Sequence, residues 1–326
     1  MGPEEDRCCG QDHPLVERVV VVSPRGYCAG VERAIECVER ALMLWGPPIY
    51  VRRQIVHNRQ VVSDLEARGA IFVESEEEVP ETGRIVFSAH GVAPAVRKRA
   101  RARRLRPVDA TCPLVAKVHA EVRRFAAAGC RVFVVGHAGH DEVVGTMGVS
   151  SASTILVETV ADAETVEPGD GPVAYVTQTT LSVDDTAAIV ETLRRRFPRI
   201  VGPRKEDICY ATTNRQRAVK AVLAHVGFLV VIGSRNSSNS NRLVETALAG
   251  GVPAALADDA SELDEAWFDG VACAGLTSGA SVPERLVAEA CDWFRARGAR
   301  VVRQPPAHEN VFFRLPVEVR SAVEAS

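Results

Sequence analysis

Short apolar runs alternate with amphipathic stretches along most of the chain. Val19 to Val22 reads as a buried strand. "IYVR" (49–52), "RIVFS" (84–88), "RVFVVG" (131–136), "VAYVT" (173–177), "GFLVVIG" (227–233) and "VACAGLTS" (271–278) read the same way. After the first strand, Val31, Ala34, Ile35, Val38, Ala41, Leu42 and Trp45 follow the i, i+3, i+4, i+7 spacing of a helix that buries one face. This alternation predicts an α/β fold with mostly parallel strands covered by helices.

A weak threefold repeat lies under the pattern. "GYCAGVERAIECVERAL", "ATCPLVAKVHAEVRRF" and "DICYATTNRQRAVKAVL" each place a cysteine, Cys28, Cys112 or Cys209, just before a helical segment. A strand and a polar loop follow each helix: "VHN", "GHAGHDE" and "SRNSSNSN". The step is 29 residues from Cys28 to His57, 28 from Cys112 to His140 and 28 from Cys209 to Ser237. Each unit then reaches another strand with a polar end, in "FSAHG", "VTQTT" and "LTSGAS". Loops beyond the carboxyl ends of parallel strands form the ligand crevice of α/β sheets. Three such units around a pseudo-threefold axis, a trefoil, would converge their loops on one central site. The expected boundaries are 30–112, 113–205 and 206–316, with the strand 19–29 joining the third unit and 1–18 a disordered tail.

Taken singly, each cysteine is more often a small buried hydrophobe than a ligand. That reading holds for Cys8, Cys9, Cys37, Cys130, Cys273 and Cys291. Cys28, Cys112 and Cys209 differ because they share one place in the repeat, at helix N-termini, where the dipole favours thiolate. Three converging thiolates repel one another unless a cation neutralises them. Zinc and iron–sulfur clusters both suit soft thiolates. A cubane cluster normally takes four cysteines, so three leave one iron open to substrate.

His57, His90 and His140 sit at loop positions of the repeat, where they favour anion binding or proton transfer. "NSSNSN" is a helix cap by composition, and its hydroxyls, amide and helix N–H groups also make a phosphate cradle. Ser281 lies at the second loop of that unit. Glu142 is placed to donate or relay a proton, and Thr179, with Thr180, to orient a hydroxyl. His13, His119, His225 and His308 read as structural, and His137 belongs to a loop rather than a helical zinc motif.

Composition narrows the classes. The 326 residues are 46% apolar and 25% charged, with a net charge of −3, as expected of a globular protein with several domains. No basic-then-apolar leader opens the chain and no run is long enough to span a bilayer, so a cytoplasmic protein with reduced thiols is expected. "VRKRARARRLR" (96–106) is the best case for nucleic acid, but it reads as a solvated helix face, as "ESEEEVPE" reads as an acidic surface loop. Three function classes stand at this point: an iron–sulfur reductase, a zinc hydrolase using Glu142 as base, and a basic-helix nucleic-acid binder.

The ordered motifs "PRGYCAGV", "VHN", "FSAHGV", "DATCPLV", "GHAGH", "TQTTLSVDDT", "DICYATTNRQ" and "NSSNSNRL" resemble the family of 4-hydroxy-3-methylbut-2-enyl diphosphate reductases (LytB, also IspH). The resemblance runs from about residue 19 to about 316. It implies a trefoil around one [4Fe–4S] cluster per chain, held by Cys28, Cys112 and Cys209, with one iron lacking a protein ligand. It implies diphosphate binding at His57, His90, Ser237, Ser238, Asn239 and Ser281, with His140 also touching substrate. Glu142 takes the place of the proton-relay glutamate and Thr179 that of the threonine near the substrate hydroxyl. The implied reaction is a two-electron reductive dehydroxylation to isopentenyl and dimethylallyl diphosphate, last in the methylerythritol phosphate route. Ferredoxin or flavodoxin, with an NADPH-dependent reductase, is the implied electron source. Neither nucleic acid nor a membrane is an implied partner. Three positions depart from the family pattern. Tyr27 and Glu32 stand for phenylalanine and aspartate. Asp141 stands for proline and is expected to raise the pKa of Glu142.

Overall fold

The computed structural model describes residues 14–307 and 309–320. Its strands are β1 (Arg18–Val21), β2 (Ile49–Arg52), β3 (Ala70–Val73), β4 (Arg84–Phe87), β5 (Arg106–Asp109), β6 (Arg131–Val135), β7 (Thr154–Val157), β8 (Val173–Thr177), β9 (Phe228–Ile232), β10 (Ala254–Ala257), β11 (Cys273–Ser278) and β12 (Arg300–Arg303). The α-helices are α1 (Ala29–Trp45), α2 (Arg59–Glu66), α3 (Pro94–Ala102), α4 (Pro113–Ala127), α5 (Asp141–Met147), α6 (Val160–Thr165), α7 (Val183–Arg196), α8 (Tyr210–Val222), α9 (Ser238–Ala249), α10 (Glu284–Arg295) and α11 (Val317–Arg320).

The strands form three separate sheets, ordered β3-β2-β4-β5, β7-β6-β8 and β10-β9-β11-β1-β12. Every pairing between these strands is parallel. Parallel strands must be joined by crossovers, and the helices supply them while covering the faces. The central strands are correspondingly mostly apolar, with all of β9 buried. The N-terminal strand β1 is held between β11 and β12, its Val21 opposite Leu276 on one side and Arg303 on the other. Three α/β units thus make up a trefoil, each with its own apolar core.

Five strands were not expected from the sequence: β3, β5, β7, β10 and β12. All five are sheet edges. An edge strand has one neighbour and tolerates polar or turn-forming residues. Pro107 in β5 lacks the N–H that no outer neighbour would accept, and β12 is "RVVR", mostly exposed.

The fold begins earlier in the chain than expected. Residues 14–18 are built into the fold: Val16 is buried in the core of the five-stranded sheet, Leu15 N donates to Arg297 O at 3.1 Å, and Glu17 N donates to Ala272 O at 3.0 Å. Two adjacent apolar residues, Leu15 and Val16, give that segment a face to bury. Residues 1–13, with Cys8, Cys9 and His13, and His308 lie outside the described residues.

The basic run is tied to the surface around it. Arg97 pairs with Asp109 at 2.5 Å, Arg99 with Glu76 at 2.5 Å, and Arg103 donates to Val79 O at 2.8 Å. The acidic segment, in turn, is not wholly a surface loop. Glu76 is completely buried and is clamped by Arg52 (2.9 Å) as well as Arg99, because a buried carboxylate is retained only when paired. No helix among the described residues is long and apolar enough to cross a membrane.

Candidate active site

The carboxyl ends of the three sheets open on one central cleft of about 750 Å³. It brings together Cys28, Cys112, Cys209, His57, His90, His140, Glu142, Thr179, Ser237, Ser238, Asn239 and Ser281. The bland cysteines stay away from it. Cys37, Cys130 and Cys291 are buried in cores, and Cys273 accepts a hydrogen bond from Arg18 Nε at 3.3 Å. Asn58 of "VHN" spends its side chain capping α2, accepting from Val61 N at 3.0 Å.

The three central cysteines are the N-cap residues of α1, α4 and α8, one from each unit. All three are free thiols. Their approach depends on Gly30, in the first turn of α1. A Cβ there would stand 2.7 Å from Cys112 Sγ and 3.8 Å from Cys28 Sγ, so any side chain would fill the space beside the sulfurs. Cys209 Sγ lies 3.2 Å from Thr212 Oγ1 and accepts from Thr212 N at 3.4 Å.

Helix position alone does not make Cys112 and Cys209 thiolates, contrary to expectation. Burial pushes the Cys112 thiol up to about 12, and the neighbouring Cys28 and Cys209 add to it, against the opposing pull of the Leu114 and Val115 amides. Burial, then Cys28, pushes Cys209 up to about 11. A cation is what would stabilise all three as thiolates.

The sulfur set is too wide for a lone zinc ion. Zinc–thiolate bonds of about 2.3 Å set tetrahedral sulfur–sulfur separations near ~3.8 Å. Among the described residues, the ligand side chains that gather in a set of three within 4.8 Å are His57, His90 and Asp141, not the cysteines. Three thiols from three helix ends, wider than a zinc shell and facing one cleft, fit a multi-iron core.

Glu142 lies beside the thiols on α5 and is 2% exposed. Thr179 N donates to its Oε1 at 2.6 Å and Thr179 Oγ1 to its Oε2 at 2.9 Å. Burial raises the carboxyl to about 7 despite these bonds, and the charge of Asp207 adds to the rise. The expected neighbour effect of Asp141 is not what acts on Glu142. Asp141 turns away, to Arg53 and to His57 Nε2 at 3.3 Å. Successive residues on a helix point in different directions, so adjacency in sequence did not bring the two carboxylates together.

Three imidazoles form one wall. His57 and His90 stack with ring centroids 4.0 Å apart, and His140 meets them edge-on at 5.2 and 5.9 Å. His140 caps α5, its Nδ1 accepting from Glu142 N at 3.2 Å, which leaves Nε2 as the donor. Burial depresses His140 to about 4 and lowers His90 well below the ordinary imidazole value, with mutual repulsion among the rings adding to both.

Hydroxyls and an amide form the facing wall. Ser237 caps α9, accepting from Ser240 N at 3.3 Å. Ser238 Oγ donates to Thr180 O at 3.1 Å, and Ser281 Oγ to His57 O at 2.9 Å. Asn239 is locked by two bonds, donating to Thr212 Oγ1 at 3.2 Å and accepting from Ala280 N at 2.8 Å. These bonds preorganise neutral donors around the N-terminus of α9, a ready anion cradle.

Several residues of the site carried no role in the sequence reading. Thr212 links Cys209 to Asn239. Gln178 Nε2 reaches Thr180 Oγ1 at 2.9 Å and Ser238 Oγ at 3.3 Å. Tyr210 and Phe313 line the cleft, and Tyr210 Oη accepts from Ala29 N at 3.1 Å. Asp207, buried, accepts from Thr177 N and from Lys117 Nζ, each at 2.9 Å. Thr212 and Tyr210 lie beside Cys209 in "DICYATTNRQ", which was a usable signal. Gln178 likewise stands beside Thr179 in "TQTT", whereas nothing in the sequence pointed to Phe313.

A trefoil of parallel α/β units with three convergent thiols, a buried carboxyl and an anion cradle defines a class: a metal-cluster enzyme for a small anionic substrate. Comparison with known proteins is specific. The family model described as LytB protein matches residues 19–295. The 4-hydroxy-3-methylbut-2-enyl diphosphate reductase of Acidothermus cellulolyticus is 56% identical over 311 residues, 94% of this chain and 92% of the relative. The protein of the same name from Mycolicibacterium paratuberculosis is 54% identical over 95% of this chain and 94% of its own. The structure of the E-1-hydroxy-2-methyl-but-2-enyl-4-diphosphate reductase from Plasmodium falciparum superposes with a TM-score of 0.87 at 39% identity, covering 93% of this chain and 97% of that one. The chain belongs to the LytB family.

Proposed function

We propose that this chain is a 4-hydroxy-3-methylbut-2-enyl diphosphate reductase of the cytoplasm, acting last in the non-mevalonate route to isoprenoids. The observation that carries the reading is the shared cleft: three helix-capping thiols, one from each unit, face the same space as Glu142 and the histidine and hydroxyl walls. The relatives that bear this name cover nearly the whole chain.

Cys28, Cys112 and Cys209 would hold an iron–sulfur cluster, of the [4Fe–4S] type with one iron free of protein ligands. When bound, such a cluster supplies stored electrons and a Lewis acid to the cleft. The rest of the chemistry falls to the chain. The overall change is the loss of one C–O bond and the gain of one C–H bond, consuming two electrons and two protons and releasing water. Glu142, raised to about 7, keeps a proton at neutral pH and can give it to the departing hydroxyl. Thr179, which holds both oxygens of Glu142, aims that proton and stands beside the hydroxyl. His57, His90, Ser237, Ser238, Asn239 and Ser281 bind the diphosphate, and His140 Nε2 donates to the substrate between the two ends. Closing these walls around the substrate excludes water and strengthens each of these contacts. The repeat units are 30–112, 113–205 and 206–316, with strand 19–29 completing the third, and the three thiols cap helices α1, α4 and α8, one helix in each unit. Ferredoxin or flavodoxin, kept reduced by an NADPH-dependent reductase, is the electron donor.

The test is turnover. Anaerobic protein with a chemical reductant and 4-hydroxy-3-methylbut-2-enyl diphosphate should yield isopentenyl and dimethylallyl diphosphate. Cluster-loaded protein that leaves the substrate intact would overturn the assignment.

A further inference from the structure

Asp141 has no task in the reading above, and its surroundings are unusual. It opens α5, next to the capping His140. Its Oδ2 lies 3.3 Å from His57 Nε2 and 4.0 Å from His90 Nδ1, and its Oδ1 is bonded by Arg53 Nη1. His57 and His90 line the cleft; Asp141 and Arg53 do not. The carboxylate therefore stands behind the imidazoles rather than among the groups that face a ligand. Asp141 also acts on His140 at its own helix end, and Arg53 in turn lies 3.8 Å from the exposed Glu74.

Arg53 is held in place at a cost. Its φ of 54° is left-handed, a conformation uncommon outside glycine, and its amide is fixed by a 2.7 Å bond to Val73 O. Such outliers persist where the surroundings demand them. Here the turn directs the guanidinium onto Asp141. Two imidazoles and a carboxylate could also suggest a divalent-metal site, but a guanidinium already occupies the cationic place at that carboxylate and would repel a second cation.

A ring that gives one N–H to a carboxylate behind it can keep the other nitrogen for a ligand in front. When the ring is an imidazolium, that second nitrogen is a charge-assisted donor. We propose that Asp141 is a positioning residue which, pinned by Arg53, holds the His57 ring through Nε2 and so presents its other nitrogen to the substrate's diphosphate. The proposal rests on the diphosphate reading of the cleft and deepens it.

The test is calorimetric titration of inorganic diphosphate into the full, cluster-loaded chain across pH 6–9. Asp141→Asn should weaken binding about tenfold. Asp141→Glu should restore binding to within about threefold, and Arg53→Gln should weaken it in the same direction as Asp141→Asn by releasing the carboxylate. Should Asp141→Asn misfold, Arg53→Gln and Asp141→Glu still carry the comparison. Wild-type binding with Asp141→Asn and Arg53→Gln unchanged or tighter would overturn the pair's role alone. No binding by wild type would overturn the diphosphate reading and the proposal with it.

Discussion

The two ends of the cleft are built by the same repeat in opposite ways. At the thiol end, equivalent places in the three units hold the same residue: Cys28, Cys112 and Cys209, each an N-cap. At the anion end, equivalent places hold different residues. The first loops give His57, His140 and Ser237; the second give His90, Thr179 and Ser281. Symmetry suits a compact cluster that each unit grips alike. An allylic diphosphate has a charged end and a hydroxyl end, and only an asymmetric wall distinguishes them. The repeat thus supplies positions, and substitution at those positions supplies the chemistry.

The comparison is open to direct attack. The largest effects should come from the thiol end and should be equal. Serine at Cys28, Cys112 or Cys209 should each abolish turnover and destabilise the cluster, because the three thiols hold equivalent N-cap places. Iron analysis on the three variants checks this, and one tolerant position would break the symmetry. Next comes Glu142→Gln, which should lower kcat by about 10²- to 10⁴-fold with little change in KM. The wild-type rate should fall as pH rises through about 7, because the donor must be protonated, and the variant should lose that limb.

At the anion end the effects should be smaller and unequal. His90→Ala should raise KM by roughly 10- to 100-fold, as expected for losing a hydrogen bond to a charged group. Ser281→Ala, a neutral donor already bonded to His57 O, should raise it by only a few fold. Steady-state kinetics on the pair measures the inequality. Equal effects would mean that the anion end is as symmetric as the thiol end.

A stability change gives the smallest signal. The folded value of Glu142, about 7, lies above its ordinary 4.5, so folding favours the protonated form. Its contribution to stability is full below the ordinary value and is lost as pH rises through about 7. Thermal melts from pH 5 to pH 8 should therefore slope downward more steeply in wild type than in Glu142→Gln.

The same contrast explains what the sequence made legible. The cysteines were readable because one residue type recurs at one spacing before three helices. His57, His90, His140 and Ser281 were readable by position, since each follows a strong central strand. The edge strands β5 and β12 were hard to read because a strand with one neighbour tolerates the Arg, Pro and Asp of "RPVD" and "RVVR", while β3, β7 and β10 are short apolar runs that were passed over. Asp207 was missed because it acts on Glu142 across two units, and Thr212 was missed although it stands three residues from Cys209. Asp141 shows the limit most clearly. One-dimensional adjacency suggested Glu142 as its partner, whereas helix geometry gives it His57 and Arg53.

The most direct test of the account is the metal content of anaerobically purified protein, wild type beside Cys112→Ser, read by visible spectrum and by iron, sulfide and zinc assays. The account predicts a brown wild type with ~4 iron and ~4 sulfide per chain, degraded or lost in the variant. A colourless wild type carrying about one zinc would contradict it.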